Sequence, residues 1–236
     1  MTNREFIASP LGVVCDFDGT ATLLDVGDEI SKHFGGLAQW EAATARFRSG
    51  ALDTRGVIES IYRDVGASEA EVRAFAAEHG RLRPGFADLV AACRARGTRF
   101  ILASGGLRQY IEAVLEKELD AELRAHVEIR ANEGVFPSRE GDLVRVRFPG
   151  DVASRELGCV ACGSCKRVAV RDLRAAGAAQ VIGIGDGFAD RCLAQFADRV
   201  FARAGSYLDK HCQASSVERV PFETLHAAAE AVTTFR

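Results

Sequence analysis

The chain has 236 residues, 47% of them hydrophobic and 27% charged, and carries a formal net charge of −3 at pH 7. That length suits one large domain, or a core domain with a smaller insert, and the composition is that of a folded globular protein. The charge gives no electrostatic basis for binding nucleic acid or an anionic membrane surface.

The opening "MTNREFIASP" lacks the apolar run of a secretory signal, and no segment reaches the roughly 20 apolar residues of a membrane span. "LGVVCDFDGTAT", residues 11–22, then reads as a buried strand ending in Asp16 and Asp18. Strand alternation points both aspartates to one side, where like charges repel unless a cation sits between them. About sixty residues of helical pattern follow. Val26, Ile30 and Phe34 make one stripe, stopping at Gly35-Gly36, and Leu37, Trp40 and Phe47 make a second. Ile58, Ile61 and Val65 make a third, and Ser68 with Glu71 forms a capping box ahead of Val72 and Phe75. Trp40 is read as a core residue of this bundle.

From Pro84 helices and strands alternate. Helix 85–97, strand 98–104, helix 107–119 and strand 125–131 lead to an excursion over 134–148 that is expected to contain a hairpin. Helix 165–177, strand 180–186, helix 189–197, strand 199–203 and terminal helices complete the chain. Such alternation predicts an α/β fold with a Rossmann-like parallel sheet covered by helices on both faces. The core is expected to comprise 1–23 and 83–236, with an all-helical cap, 24–82, inserted after the first strand.

Ligands of open parallel sheets bind at the carboxyl ends of the strands. Three strand ends here are polar and glycine-flanked: "CDFDGT", "LASGG" and "GIGDG". They bring Asp16, Asp18, Ser104 and Asp186 together, with Asp190 four residues beyond. Converging carboxylates suit a hard cation such as magnesium, which takes one or two protein carboxylates plus a phosphate. Ser104 and the amides around Gly19 and Gly105 can donate to phosphate oxygens, and Lys166 can balance charge.

"DFDGT", "SGG", Lys166 and "GDGFAD" resemble, in order and spacing, the four motifs of haloacid dehalogenase-like phosphatases. The helical insert resembles the cap of their phosphoserine phosphatase branch. The resemblance implies a magnesium-dependent phosphoric monoester hydrolase with an aspartyl-phosphate intermediate. Asp16 is then the nucleophile, and Asp18 the acid that protonates the leaving oxygen and later activates water. Asp16, the Asp18 backbone carbonyl and Asp186 hold magnesium, with Asp190 supporting metal waters or the lysine. Ser104 and Lys166 hold the phosphoryl group, with Gly19, Thr20 and Gly105 beside it, and Asp25 is the first candidate for contact with the rest of the substrate. Asp28 and Glu29 are read as the start of the first cap helix. Arg46, Arg48 and Arg55 are read as solvated surface.

"CVACGSCK" places Cys159, Cys162 and Cys165 at two-residue gaps directly before Lys166. Tetrahedral zinc takes four ligands and only three are local, so a fourth would be distant, Cys212 or a histidine. A redox role, or a loop that merely positions Lys166, are the other readings. This run and "ADRVFARAGSYLDKHCQ" resemble the 2-hydroxy-3-keto-5-methylthiopentenyl-1-phosphate phosphatases of methionine salvage. Phosphocholine/phosphoethanolamine phosphatases share some of these features, and Ala189 stands where phosphoserine phosphatases usually carry asparagine. A non-catalytic metal-binding regulator on a phosphatase scaffold is the alternative of another class. The partner is expected to be a small phosphorylated metabolite, and the chain a monomer or homodimer. Seven cysteines, an odd number in a chain too large to need disulfide staples, fit a reducing, cytoplasmic setting.

Overall fold

The computed structural model describes residues 11–136, 143–159 and 162–235. A seven-stranded sheet is ordered β4-β3-β2-β1-β5-β6-β7. The strands are β1 (Leu11–Cys15), β2 (Arg99–Leu107), β3 (Val127–Val135), β4 (Arg145–Arg147), β5 (Gln180–Gly185), β6 (Arg199–Arg203) and β7 (Val220–Phe222). All neighbouring pairs run parallel except β3 with β4. The expected hairpin therefore has β3 and β4 as its arms; the residues between, 137–142, lie outside the described residues. Strand β7 was not expected, because a three-residue strand at a sheet edge leaves no alternation to read.

Four helices lie between β1 and the first core helix: α1 (Val26–Gly35), α2 (Leu37–Arg48), α3 (Thr54–Tyr62) and α4 (Glu69–His79). The capping box at Ser68 and Glu71 forms as its spacing predicts. The core helices are α5 (Phe86–Ala95), α6 (Arg108–Glu118), α7 (Ala121–Arg124), α8 (Asp151–Glu156), α9 (Lys166–Ala175), α10 (Arg191–Phe196), α11 (Tyr207–Ala214) and α12 (His226–Thr233). Among the described residues, no helix is long and apolar enough to cross a membrane.

Alternation along β1 divides the core. Val14 faces Ala169, Val170 and Leu173 of α9 and Leu193 of α10. Val13 and Cys15 face the larger cluster built from α5, α6 and α12, which runs on into Val26, Ile30, Ile58 and Tyr62 of the insert. The second helical stripe does not join that core. Leu37 is 55% exposed, and Trp40 is half-buried with the Lys32 ammonium 4.2 Å above its ring. Helix α2 lies on the outside of the insert and buries only Ala43, so its large side chains need no core partner.

A short neck joins insert and core. Thr22 pairs with Leu82 in an antiparallel bridge, the Leu23 amide donates to Arg81 O (3.0 Å), and the Arg83 amide donates to Ala21 O (2.7 Å). The buried Arg83 guanidinium donates to the carbonyls of Gly19 (2.8 Å), Thr20 (2.7 Å), Thr22 (3.0 Å) and Glu223 (3.1 Å). Two further contacts fasten the insert: Arg73 pairs with Glu116 of α6 (2.7 Å), and Arg55 pairs with Asp151 of α8 and stacks on Phe148. Arg55 is thus a strut and not free surface.

Candidate active site

Strand β1 is central, so its last residue opens directly into the space above the sheet, between β2 and β5. There Asp16 lies 2.7 Å from the Lys166 ammonium, which in turn lies 3.0 Å from Asp190. Lys166 is the first residue of α9, where the helix dipole disfavours a cation. Burial also opposes its charge, but Asp16 and Asp190 outweigh both and hold the ammonium well above its ordinary pKa. Burial first, and Asp190 second, push the Asp16 carboxyl above the ordinary carboxylate range against the pull of Lys166.

Asp186 ends β5 and is oriented from two sides. Thr20 Oγ1 donates to its Oδ1 (2.9 Å), and Arg203, at the end of β6, donates to its Oδ2 (3.0 Å). Asp190 is fixed by the amides of Asp186 (2.9 Å) and Gly187 (2.8 Å). Asp16, Asp186 and Asp190 each offer an oxygen, all within 4.8 Å of one another. Gly19 makes this approach possible. It sits at φ +71°, and a Cβ there would stand 2.8 Å from Asp186 Oδ2.

The Asp18 carboxylate turns away from that cluster. Its Oδ1 accepts from the amides of Val26 (3.0 Å) and Gly27 (3.3 Å) in the first turn of α1. Its Oδ2 accepts from Tyr110 Oη (2.6 Å) and Ser104 Oγ (3.3 Å). Burial lifts Asp18 to about 6, against the lowering effect of the Tyr110 hydrogen bond. Gly106 lets the tyrosine in, since a Cβ there would fall 1.7 Å from its hydroxyl oxygen.

The other expected site residues are placed as follows. Ser104 Oγ accepts from the Gly106 amide (2.9 Å), and Gly105 O accepts from Asn132 (2.8 Å). The Gly19 amide is engaged by Leu24 O and Thr22 Oγ1, each at 3.2 Å. Thr20 is fully buried beneath Asp186. Asp25 is open to the cleft and also caps α1, accepting from the Asp28 amide (2.8 Å). Asp28 and Glu29 stand in the first turn of α1, at the start of the helix as expected.

Asp16, Asp18, Asp25, Ser104, Lys166 and Asp186 line a cleft of ≈ 550 Å³ between core and insert, whose outer wall includes Leu24, Phe47, Val57, Ile58 and Ile61. Phe47 of α2 meets Phe188 edge-on across the opening (5.3 Å between ring centres). Sequence reasoning missed Tyr110, Arg203 and Arg83. Tyr110 and Arg203 are lone polar residues inside ordinary elements and Arg83 lies in the link before α5, and the role of each exists only through a distant partner.

Comparison with known proteins agrees with this geometry. Residues 13–195 match the family described as haloacid dehalogenase-like hydrolase. A 2-hydroxy-3-keto-5-methylthiopentenyl-1-phosphate phosphatase of Brevibacillus brevis is 28% identical over 221 residues, covering 93% of this chain and 94% of its own. Among solved structures, a haloacid dehalogenase family hydrolase from Salmonella enterica serovar Typhi shares the fold with a TM-score of 0.72 at 18% identity, covering 97% of this chain and 72% of its own. A substrate-bound phosphoserine phosphatase does so with 0.68 at 16% identity, covering 93% and 96%.

Proposed function

The chain belongs to the haloacid dehalogenase-like hydrolases and is a phosphoric monoester hydrolase; on that premise we propose that it works through an aspartyl phosphate on Asp16, with magnesium, on 2-hydroxy-3-keto-5-methylthiopentenyl-1-phosphate or a close analogue. The observation that carries the mechanism is the division of labour between two carboxylates two residues apart. Asp16 is held by Lys166 at the end of β1, while Asp18 is held off it by α1 and Tyr110. Asp16 attacks phosphorus as the bond to the leaving oxygen breaks, and Asp18 gives that oxygen its proton. Asp18, now a base, takes a proton from the water that attacks the same phosphorus, which frees Asp16 and releases phosphate. Lys166 and Ser104 hold the phosphoryl oxygens during both steps.

The donor set fits magnesium. Three aspartates whose oxygens converge, Asp16, Asp186 and Asp190, face two cationic side chains, Lys166 and Arg203, which leaves negative charge for a divalent ion to offset. Asp16 and Asp186 would hold it, with the Asp18 carbonyl, and Asp190 would orient its waters. When bound, the ion supplies charge neutralisation to the transferring phosphoryl group. Turnover is expected to vanish in excess chelator, to return with magnesium and to fall when calcium replaces it; full activity in chelator would contradict the assignment.

The cleft supports the substrate reading. Its outer wall is largely apolar, with Asp25 and Asp28 beside the apolar side chains, and both of its cationic side chains, among the described residues, are engaged by aspartates at the phosphate end. A substrate carboxylate, as in phosphoserine, finds no free cationic side chain there among the described residues, whereas a neutral thioether chain would lie against Leu24, Phe47 and Ile58. Asp25 and Asp28 favour a second reading, a cationic phosphocholine or phosphoethanolamine. Comparing kcat/KM across these phosphomonoesters decides between the readings, and highest efficiency with phosphoserine would overturn both.

We further propose that the insert, 24–82, is a cap that contacts the leaving group. Asp25→Ala is then expected to raise KM for the natural substrate more than for a small aryl phosphate. It should also cost about 1 kcal/mol of stability, because the α1 cap is lost with it. An equal kinetic loss on both substrates would place Asp25 in the shared chemistry.

Tyr110 sets the acid. Its hydrogen bond favours the charged form of Asp18, so Tyr110→Phe should raise the pKa from about 6. Since Asp18 must begin protonated, activity on a poor leaving group is lost as pH rises through that value. In the variant the loss should come at higher pH, and an unmoved profile would detach Tyr110 from Asp18.

A further inference from the structure

Strand β2 departs from its ladder with β3 where Ser104 and Gly105 stand. Ala103 pairs with Arg130 and Leu107 with Asn132, so Ser104, Gly105 and Gly106 lie opposite Ala131 alone. Such a bulge re-aims a side chain, but it also takes backbone groups out of the ladder, and these need other partners. Two side chains supply them. The Gly106 amide donates to Ser104 Oγ (2.9 Å), and Gly105 O accepts from Asn132 Nδ2 (2.8 Å). That amide and that carbonyl belong to one planar peptide unit, so Asn132 grips one end of it and Ser104 the other.

Asn132 is a poor choice for packing alone. It is 0% exposed, and its Oδ1 has no hydrogen-bond partner among the described residues. A buried acceptor left unpaired destabilises the fold, and a leucine of similar shape would carry no such group. The side chain is therefore explained by the N–H it donates and not by its volume. Its other neighbour is Gly163, where a Cβ would stand 3.3 Å from Asn132 Nδ2. Asn132 thus lies between the bulge that carries Ser104 and the loop that leads into Lys166.

We propose that Asn132 is a positioning residue for phosphoryl transfer, acting through the Gly105–Gly106 peptide to aim the Ser104 hydroxyl. The proposal rests on the reading of Ser104 as a holder of phosphoryl oxygens. A serine hydroxyl has one proton and two lone pairs. With the Gly106 amide fixed on a lone pair, the proton is directed away from the peptide. Asp18 Oδ2, 3.3 Å from Ser104 Oγ, marks the side of the hydroxyl that faces the reaction. Without Asn132 the peptide can turn, the Gly106 amide leaves Ser104, and the hydroxyl loses its aim. Asn132 does not itself line the cleft.

The test is a double-mutant cycle on the full chain, with magnesium and a small aryl phosphate, using Asn132→Leu, Ser104→Ala and the pair. Ser104→Ala is expected to lower kcat about 10²-fold or more, as for the loss of one oxyanion donor. Asn132→Leu keeps the volume and removes the donor. Its kcat should fall about 10- to 100-fold through misplacement of the hydroxyl, with KM changed less than about threefold. In the Ser104→Ala background the same change should alter kcat less than about threefold, because no hydroxyl is left to aim. Thermal melts check that each protein folds, and if Asn132→Leu does not, Asn132→Ala takes its place in the cycle. Multiplicative losses in the double variant, a loss confined to KM, or full kcat in Asn132→Leu would each overturn the proposal and leave the phosphatase reading standing. Full kcat in Ser104→Ala would instead remove Ser104 from the phosphoryl site, and the proposal with it.

Discussion

Asp16→Asn is expected to abolish turnover while leaving the chain folded. The amide is isosteric but cannot carry the phosphoryl group, so the covalent route is lost outright, a drop of about 10⁴-fold or more. Folding should not suffer. The substitution removes one charge from a crowd of three carboxylates whose oxygens lie within 4.8 Å of one another, and Lys166 keeps its contact with Asp190. Steady-state rates and a thermal melt, on protein checked by mass for deamidation, read both halves. Activity within tenfold of the unaltered enzyme would remove Asp16 from the role of nucleophile.

Lys166→Met is expected to damage both activity and stability. The lysine is 3% exposed and is the cation shared by Asp16 and Asp190. Without it two buried carboxylates face each other, a loss of about 3 kcal/mol by analogy with broken buried pairs. Removing the charge proposed to hold the phosphoryl oxygens should lower kcat by about 10³-fold. Denaturant melts with and without magnesium separate the two effects: the ion should restore part of the stability but little of the rate. A melt and a rate both unchanged would make Lys166 a bystander.

The two substitutions differ because the sequence shows which residues meet only where strand ends declare it. Asp16, Asp18, Ser104 and Asp186 sit on glycine-flanked strand ends, and parallel order alone brings those ends together. The alternation of helix and strand likewise made the parallel sheet legible. Trp40 misled because a helical stripe shows amphipathicity, not which way the face is turned. Arg203 and Tyr110 were illegible for a related reason. Nothing beside them in the chain marks them, and Asp186 and Asp18 reach them only across the fold.

Arg83 gives the neck a meaning beyond closure. The loop that follows Asp16 has three carbonyls, at Gly19, Thr20 and Thr22, braced by a side chain that arrives only after the whole insert has been traversed. The insert is therefore exchangeable in principle, but only if the splice falls between Thr22 and Arg83, where the chain pairs with itself. A graft that keeps both residues could bring a different cap, and a different appetite for substrates, to an undisturbed core. One that cuts a single residue too deep would take away the brace and slacken the catalytic loop.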